Sequence, residues 1–596
     1  MRRSLLAACV IGALALSRPG WATDFTYSGG NYVSWNDASR WTPGGGPPRN
    51  GNVGIVANSK VPYADANLYT VGVDTPPQEI RLDATGTLAV RIDTLADHRI
   101  VLNGGSIGEW WNGLGTPRVC NYPVSVRSSS FLGNGQNDDI RFSGVIQNDG
   151  ANSGLLTVRS AASPGRVHLA ASNTWTGGLQ VDGSTVYAEA VGALGANAVT
   201  VNGGAVRLQA ASAAAAFQAN TNGSISVEID HGGSIVLNGG RLGSGLEGMT
   251  WQLDKIFYGT LRVRTNSFVG ANTQEKTHLS GSIINDGANT GMLTVPYGLN
   301  GSFVYIEGTN NTWTGGIRVE NNSTLYASAS NCLGTGPVTI NGGRLVSGGL
   351  MAMAYGCLGS NTVTVNGSAA RLQYDSPLAT IWANTNATIC VEANHGGTLV
   401  LNGATIGAGW AGQTWMLDKT FYGAIRVRTN SFVGVNTAEK TRFTGLIQDD
   451  GGQKGTLIVT NGANGGTAYF SGIGNTWSGG LRVENNSSCY ATTNGCLGTG
   501  QVWVNAGTLY IQNGSAMAST AILTVNGGKA NLSAGVNQKV AALVLGGVTN
   551  DTVGTWGATG SSPAPGHTND TYLAGSGIVT VMGLAKAPRG TMVVIR

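Results

Sequence analysis

The sequence predicts an all-β protein: a right-handed parallel β-helix, or β-solenoid, closed by a cap at each end. Three observations point there. Only 11% of the 596 residues are charged while 93 are Gly, which is a turn-rich composition typical of short strands and tight corners. The stretch Asn311-Thr-Trp-Thr-Gly-Gly-Ile317 recurs at Asn173–Leu179 and Asn475–Leu481, 138 residues before and 164 after. Long-range self-similarity of this kind marks stacked repeats. Finally, four- or five-residue alternating runs such as Ala198-Val-Thr-Val201 and Ala205-Val-Arg-Leu208 meet at Asn-Gly-Gly. Alternation buries one face of each strand, and Asn-Gly supplies backbone of positive φ.

Taken in order, residues 1–22 read as a cleaved secretory signal: Arg2 and Arg3, an apolar run from Leu5 to Leu16, then Gly20-Trp21-Ala22. Leu6-Ala-Ala-Cys9 has the letters of a lipoprotein box, but it opens the apolar run instead of following it. Cleavage after Ala22 leaves 32 basic and 31 acidic residues, a balance that favours neither nucleic acid nor an anionic membrane. No later segment supplies the roughly 20 apolar residues of a spanning helix.

Residues 23–95 differ from the rest, with Trp35, Trp41 and Gly44-Gly-Gly-Pro-Pro48, and read as an N-terminal cap over the first open edge. Their tryptophans are expected to pack the cap core. Residues 96–540 form the repeat region, in three blocks opened by Ile100–Gly105, Ile235–Gly240 and Leu399–Gly403. Trp251–Lys255 and Arg262–Gly270 match Trp415–Lys419 and Arg426–Gly434 at an offset of 164; Arg127 and Phe131 keep the register in the first block at 137. The second block holds one extra repeat, because Cys332-Leu-Gly334 is echoed 25 residues later at Cys357-Leu-Gly359. Asn-Gly is also a hairpin signal, so an antiparallel array competes. The recurrence of equivalent strands every 20–25 residues favours a coil. At one strand spacing per turn, about 20–24 turns would span on the order of 100 Å. Residues 541–583, with Leu543–Gly547, Gly554-Thr-Trp-Gly557 and Gly577–Val581, read as a C-terminal cap, and 584–596 as a tail.

The pattern Asn311-Thr-Trp-Thr-Gly-Gly316 followed by Cys332-Leu-Gly-Thr-Gly-Pro-Val-Thr-Ile-Asn-Gly-Gly343 resembles the autotransporter-associated β-strand repeat, also called the passenger-associated transport repeat. Gly554–Val581 is similar to the closing segment of long bacterial surface proteins that carry this repeat. The resemblance implies a parallel β-helix on an exported bacterial protein, displayed at the surface or secreted. This sequence departs from a full autotransporter in lacking the amphipathic strands of a translocator barrel after that segment.

Candidate chemistry is sparse. A hydrolase of this fold needs clustered acids. Asp138-Asp139 and Asp449-Asp450 are the acid pairs, and His231-Gly-Gly and His395-Gly-Gly the nearest His motifs. The prominent polar residues recur (Arg127, Arg264, Arg428; Asp149, Asp286, Asp450), whereas a catalytic site is built once. Those Asp residues are expected to accept N–H bonds in their own turns, since one carboxylate per turn cannot supply the ligands calcium takes. Each Arg precedes its Asp by 22 residues, so the pairs are expected to face one another across adjacent turns. Cys332 and Cys357 are expected to stack within disulfide reach. The remaining histidines, 98, 168, 278 and 567, lack metal-ligand spacing, and the cysteines form no C-x-x-C pair. Trp175, Trp313 and Trp477 read as repeat packing, with a glycan platform as the alternative. No residue is assigned a catalytic, cofactor-binding or metal role. The expected function is a secreted or cell-surface, non-enzymatic stalk or adhesin-like protein making weak multivalent contacts with glycans or neighbouring cells. The competing expectation is a polysaccharide lyase or hydrolase on the same coil.

Overall fold

A computed structural model describes residues 24–583 apart from 31–32, 45–47, 49–51, 58–61, 65–78, 91–98, 110–116, 134–138, 160–164, 213–214, 246–252, 271–274, 297–301, 321, 343–348, 410–416, 435–438 and 461–465. The signal-like stretch, Asp138, His98, Trp251, Trp415 and the tail therefore lie outside the described residues. The chain is all-β, with parallel stacked sheets forming a β-solenoid of about 18 turns, fewer than the repeat spacing suggested. Among the described residues the only helical element is the 3-10 turn Ala38–Arg40. Short alternating runs yield this fold because the residues at every second position can be stacked turn upon turn inside one core. Val186, Val206, Ile225 and Leu242 occupy equivalent inward positions of Thr185–Ala188, Gly204–Leu208, Gly223–Val227 and Arg241–Gly243, and all are buried. Burying each such side chain contributes about 1.5–3 kcal/mol.

The Asn-Gly-Gly joints turn corners instead of closing hairpins, which disposes of the antiparallel array. Ala198–Val201 pairs in parallel with Ala216–Asn220, while Gly204–Leu208, just past the joint, pairs in parallel with Gly223–Val227 in a different sheet. Gly204 has φ +78°, and a Cβ there would stand 2.1 Å from the Ser184 carbonyl oxygen. A side chain is excluded by both backbone strain and contact.

The molecule divides into two compact units, residues 1–180 and 181–596. In the first, Asp24–Tyr27 pairs antiparallel with Trp41–Thr42, and Trp35 and Trp41 are buried edge to face at 4.5 Å. Both tryptophans pack as expected. A parallel sheet then climbs through Val53–Val56, Glu79–Asp83, Ile100–Asn103 and Val124–Ser128, and stops at Ile146–Asn148. Before it stops, another sheet has begun at Arg118–Cys120 and passed through Asp139–Phe142 to Arg166–Leu169.

The second unit repeats this handover twice. One sheet, including Ser234–Asn238 and Thr260–Thr265, ends at Ile283–Asn285 after a new one has opened at Asp254–Phe257. A second, including Thr398–Asn402 and Ala424–Thr429, ends at Ile447–Asp449 after another has opened at Asp418–Phe421. Turns near a handover carry three strands and the turns between carry two.

The repeated Asn-Thr-Trp motif is what ends a sheet. The Asn173, Asn311 and Asn475 side-chain carbonyls accept the N–H of Ile146, Ile283 and Ile447 at 2.7, 2.6 and 2.8 Å, and the following Thr N–H donates back to the same isoleucine's carbonyl. A side-chain amide thus replaces the next strand at the sheet's edge. Beneath it Trp175, Trp313 and Trp477 are completely buried, and Trp175 and Trp477 donate their indole N–H to Gly178 and Gly480 at 3.1 Å. Neighbouring turns do stack, but Thr260–Thr265 and Ala424–Thr429, equivalent across the 164-residue offset, belong to different sheets.

At the chain's far end Ala542–Leu545 folds antiparallel onto Val548–Asn550, and Gly554–Gly557 lies antiparallel to Ile578–Val581.

Candidate functional site

The structure brings together every charge pair expected from the 22-residue spacing. Arg127 Nε donates to Asp149, Arg264 Nε to Asp286 Oδ2 at 2.6 Å, and Arg428 Nη1 to Asp450 Oδ2 at 3.3 Å. The carboxylates therefore bond to arginine on the neighbouring turn, where bonds to their own turn's N–H groups had been expected. The turns are held by backbone bonds, such as Asp149 N–H to Asn152 and back, both 3.1 Å. Asp149 is buried and also accepts Arg99, while Arg127 reaches Glu79 at 3.3 Å.

The candidates for acid chemistry are engaged elsewhere. Asp139 is buried beside His168, 3.0 Å away, and Asp449 accepts the Ser478 N–H and hydroxyl at 2.9 and 2.7 Å. His231 and His395 are buried, and among the described residues neither ring has a hydrogen-bond partner. Burial lowers both imidazoles to about 4, although Asp375 stands 3.6 Å from His395 Nδ1 and opposes the shift. Cys332 and Cys357 do lie on adjacent turns, with Cys332 Sγ 3.8 Å from the Cys357 carbonyl, but both thiols are free. The three motif tryptophans are core packing, so none offers a face to a glycan.

Sequence reasoning missed two kinds of ladder. Asn238 Nδ2 donates to Asn220 at 2.8 Å, and Asn402, Asn384, Asn366 and Asn341 form a second chain of amide bonds at 3.0, 2.7 and 2.9 Å. Outside the core, His278 stacks on Tyr305 and Tyr305 on Tyr326 at 4.2 and 4.1 Å, while Tyr469, Tyr490 and Tyr510 stack at 4.6 and 4.4 Å. The legible signal was an aromatic at the same outward position of successive strands, as in Thr467–Phe470, Ser488–Ala491 and Thr508–Ile511. These rings cover one another's faces.

An open groove of about 500 Å³ lies where Thr221, Gly239, Arg264, Thr265, Asn266, Phe268, Thr290 and Gly291 converge. A smaller one of about 230 Å³ adjoins it and adds Asn222, Ser224 and Arg241. Phe268 is 37% exposed, and the Arg241 guanidinium stands 5.5 Å over its ring. The same surface element recurs with Arg428, Asn430 and Phe432, the last 38% exposed, but Thr405 stands opposite Phe432 where Arg241 faces Phe268. In the other unit Arg159 stands 3.8 Å over Phe131.

One acid cluster is not repeated. His278 lies between Asp254 and Glu307, with Nε2 2.9 Å from Asp254 Oδ1 and Nδ1 2.7 Å from Glu307 Oε1, and Lys276 Nζ reaches Asp254 at 2.9 Å. Arg442 and Ser471 occupy the places of His278 and Glu307 in the third block. Among the described residues no group of His, Cys, Asp and Glu has the arrangement to hold a metal ion, and no helix is long and apolar enough to cross a membrane.

Comparison with protein-family models and with curated proteins finds no match for this chain.

Proposed function

We propose that this is an exported, non-enzymatic surface or extracellular protein, stalk- or adhesin-like, that contacts glycans through repeated surface elements. The observation that carries the reading is the exposed arginine–phenylalanine element, Arg264 with Phe268 and Arg428 with Phe432, found in the second and third long blocks and bordered by Thr and Asn. An aromatic ring with planar polar neighbours is suited to sugar rings and their hydroxyls, and repetition converts weak contacts into useful avidity. Placing equivalents on different sheets would present them to more than one neighbour. The resemblance of the Asn-Thr-Trp repeat to the autotransporter-associated repeat supports the exported, bacterial setting, and the signal-like residues 1–22 support passage through a membrane.

The Asp254–His278–Glu307 cluster favours a second reading, a polysaccharide lyase or hydrolase, because it is built once and holds two carboxylates. One experiment separates the two. The purified protein is incubated with neutral and acidic polysaccharides, scoring retention and new reducing or unsaturated ends. Retention without cleavage supports the binding protein; cleavage abolished by Glu307→Gln replaces it with the enzyme.

A further inference from the structure

We infer that Tyr355, Asp375 and Tyr422 form a binding site for an organic ammonium ion, a protonated or alkylated amine. At its centre is a carboxylate whose charge is not cancelled. Asp375 Oδ1 accepts the Gly396 N–H at 2.8 Å and Oδ2 accepts the Tyr422 hydroxyl, and both donors are neutral. His395 Nδ1 stands 3.6 Å away, but burial keeps that ring uncharged above about 4. Among the described residues no lysine or arginine pairs with Asp375. The Asp375 side chain is only 15% exposed, so a cation reaching it is attracted more strongly than at an open surface.

Exposed aromatic rings gather around this acid: Tyr355, Tyr374 and Tyr422 are 65, 52 and 45% exposed. Tyr422 lies against Gly396, where a Cβ would come within 2.6 Å of its Cε2. Its bond to Asp375, and burial after that, pushes the hydroxyl up to about 12, so it remains a neutral donor that fixes the ring. Tyr355 stands on the neighbouring turn, since the Gly356 N–H donates to the Asp375 carbonyl at 2.7 Å, and it is near enough to Tyr422 to help raise that hydroxyl. Aromatic rings around a carboxylate suit an ammonium ion, because the ring quadrupoles and the negative charge attract the same ligand. The chain also carries this scaffold without the site. At an offset of 164 residues, Val191, Ala210 and Ala211 take the places of Tyr355, Tyr374 and Asp375, while Gly232 and Tyr258 match Gly396 and Tyr422. The backbone is alike there: the Gly192 N–H donates to the Ala211 carbonyl at 2.9 Å, and Tyr258 lies against Gly232. The coil therefore forms without the acid and without the two further rings, and their grouping on the surface marks recognition.

The test is equilibrium dialysis of the full chain against isotope-labelled choline, glucosamine and neohexyl alcohol, the uncharged carbon isostere of choline. Wild type is compared with Tyr355→Val, Asp375→Ala and Tyr258→Ala. The first two place at the site the residues that the equivalent positions already carry, so the fold accommodates them. Saturable binding of an ammonium ligand is expected, weaker by roughly tenfold or more in Tyr355→Val and Asp375→Ala and for the neutral isostere, and unchanged in Tyr258→Ala. Binding of choline alone would support the site and narrow its ligand to an alkylated ammonium such as a lipid headgroup; binding of glucosamine alone would support it and narrow the ligand to an amino sugar. Neohexyl alcohol bound as tightly as choline would overturn cation recognition. No binding of either ammonium ligand would overturn the site. Binding unchanged in both Tyr355→Val and Asp375→Ala would place it elsewhere and sink the assignment. Thermal midpoints equal to wild type exclude misfolding as the cause of any loss.

Discussion

Arg264 Nε donates to Asp286 Oδ2 at 2.6 Å across one turn of the solenoid, and Arg428 with Asp450 repeats the pair at 3.3 Å. In both, the arginine is more than one-third exposed, so solvent screens most of the attraction. A double-mutant cycle on Arg264→Gln and Asp286→Asn should give a coupling of about 0–1 kcal/mol. Asp149 is different: it is buried and accepts both Arg99 and Arg127. Asp149→Asn should therefore cost more, roughly 1.5–3 kcal/mol in urea unfolding. Equal costs for Asp149→Asn and Asp286→Asn would show that burial does not govern these pairs.

Trp477 fills the core under the Asn475 bracket with no exposed surface. Trp477→Ala should cost about 3–5 kcal/mol, through lost transfer energy and the cavity left behind. Because repeats depend chiefly on their neighbours, the loss is expected as early local exchange of amides near Ile447, measured by hydrogen exchange. Uniform exchange along the chain would contradict this.

Asn384 donates to Asn366 and accepts from Asn402, so it holds two rungs of its ladder. Asn384→Ala leaves a donor and an acceptor without partners and should cost roughly 1–3 kcal/mol. Asn526 is exposed, and its replacement by Ala should stay within about 0.5 kcal/mol. A thermal midpoint for Asn384→Ala as high as that of Asn526→Ala would deny the ladder an energetic role.

His231 and His395 titrate near 4 in the folded chain, against an ordinary value of 6.5. Between those values the unfolded chain takes up protons that the folded chain refuses, so stability rises with pH there. The stability is complete above about 6.5 and is lost as pH falls towards 4. Each pKa unit is worth about 1.4 kcal/mol, so the two sites together can remove several kcal/mol. Thermal midpoints from pH 4 to 8 should fall with acid in wild type and flatten in His231→Gln/His395→Gln. The same slope in both proteins would assign the acid sensitivity to other groups.

Burial pushes the Cys332 and Cys390 thiols up to about 12. Since the thiolate is the reactive form, a thiol reagent at pH 8 should leave both untouched until denaturant is added. Rapid labelling of the folded protein at either residue would show that these turns open readily.

Much was legible because it is local. The inward positions Val186, Val206 and Ile225 could be read from alternation alone, and the facing of Arg264 and Asp286 followed from a spacing that matched one turn. The Asn and Tyr ladders were written at equivalent positions too, but their bonds form only when neighbouring turns come into register, as Tyr490 does with Tyr510. The groove at Phe268 was hidden because Thr221, Gly239, Phe268 and Thr290 come from successive turns.

By itself the sequence determined that the chain is all-β and which side of each strand faces the core, because side-chain alternation and positive-φ corners act within a few residues; the 20–25-residue recurrence favoured the coil, and the strand pairing decided it. Only the tertiary structure decided which sheet each strand joins and where a sheet stops. That choice rests on a partner one turn away: the Asn311 amide closes Ile283, and Thr260–Thr265 and Ala424–Thr429, alike in sequence, consequently lie on different sheets.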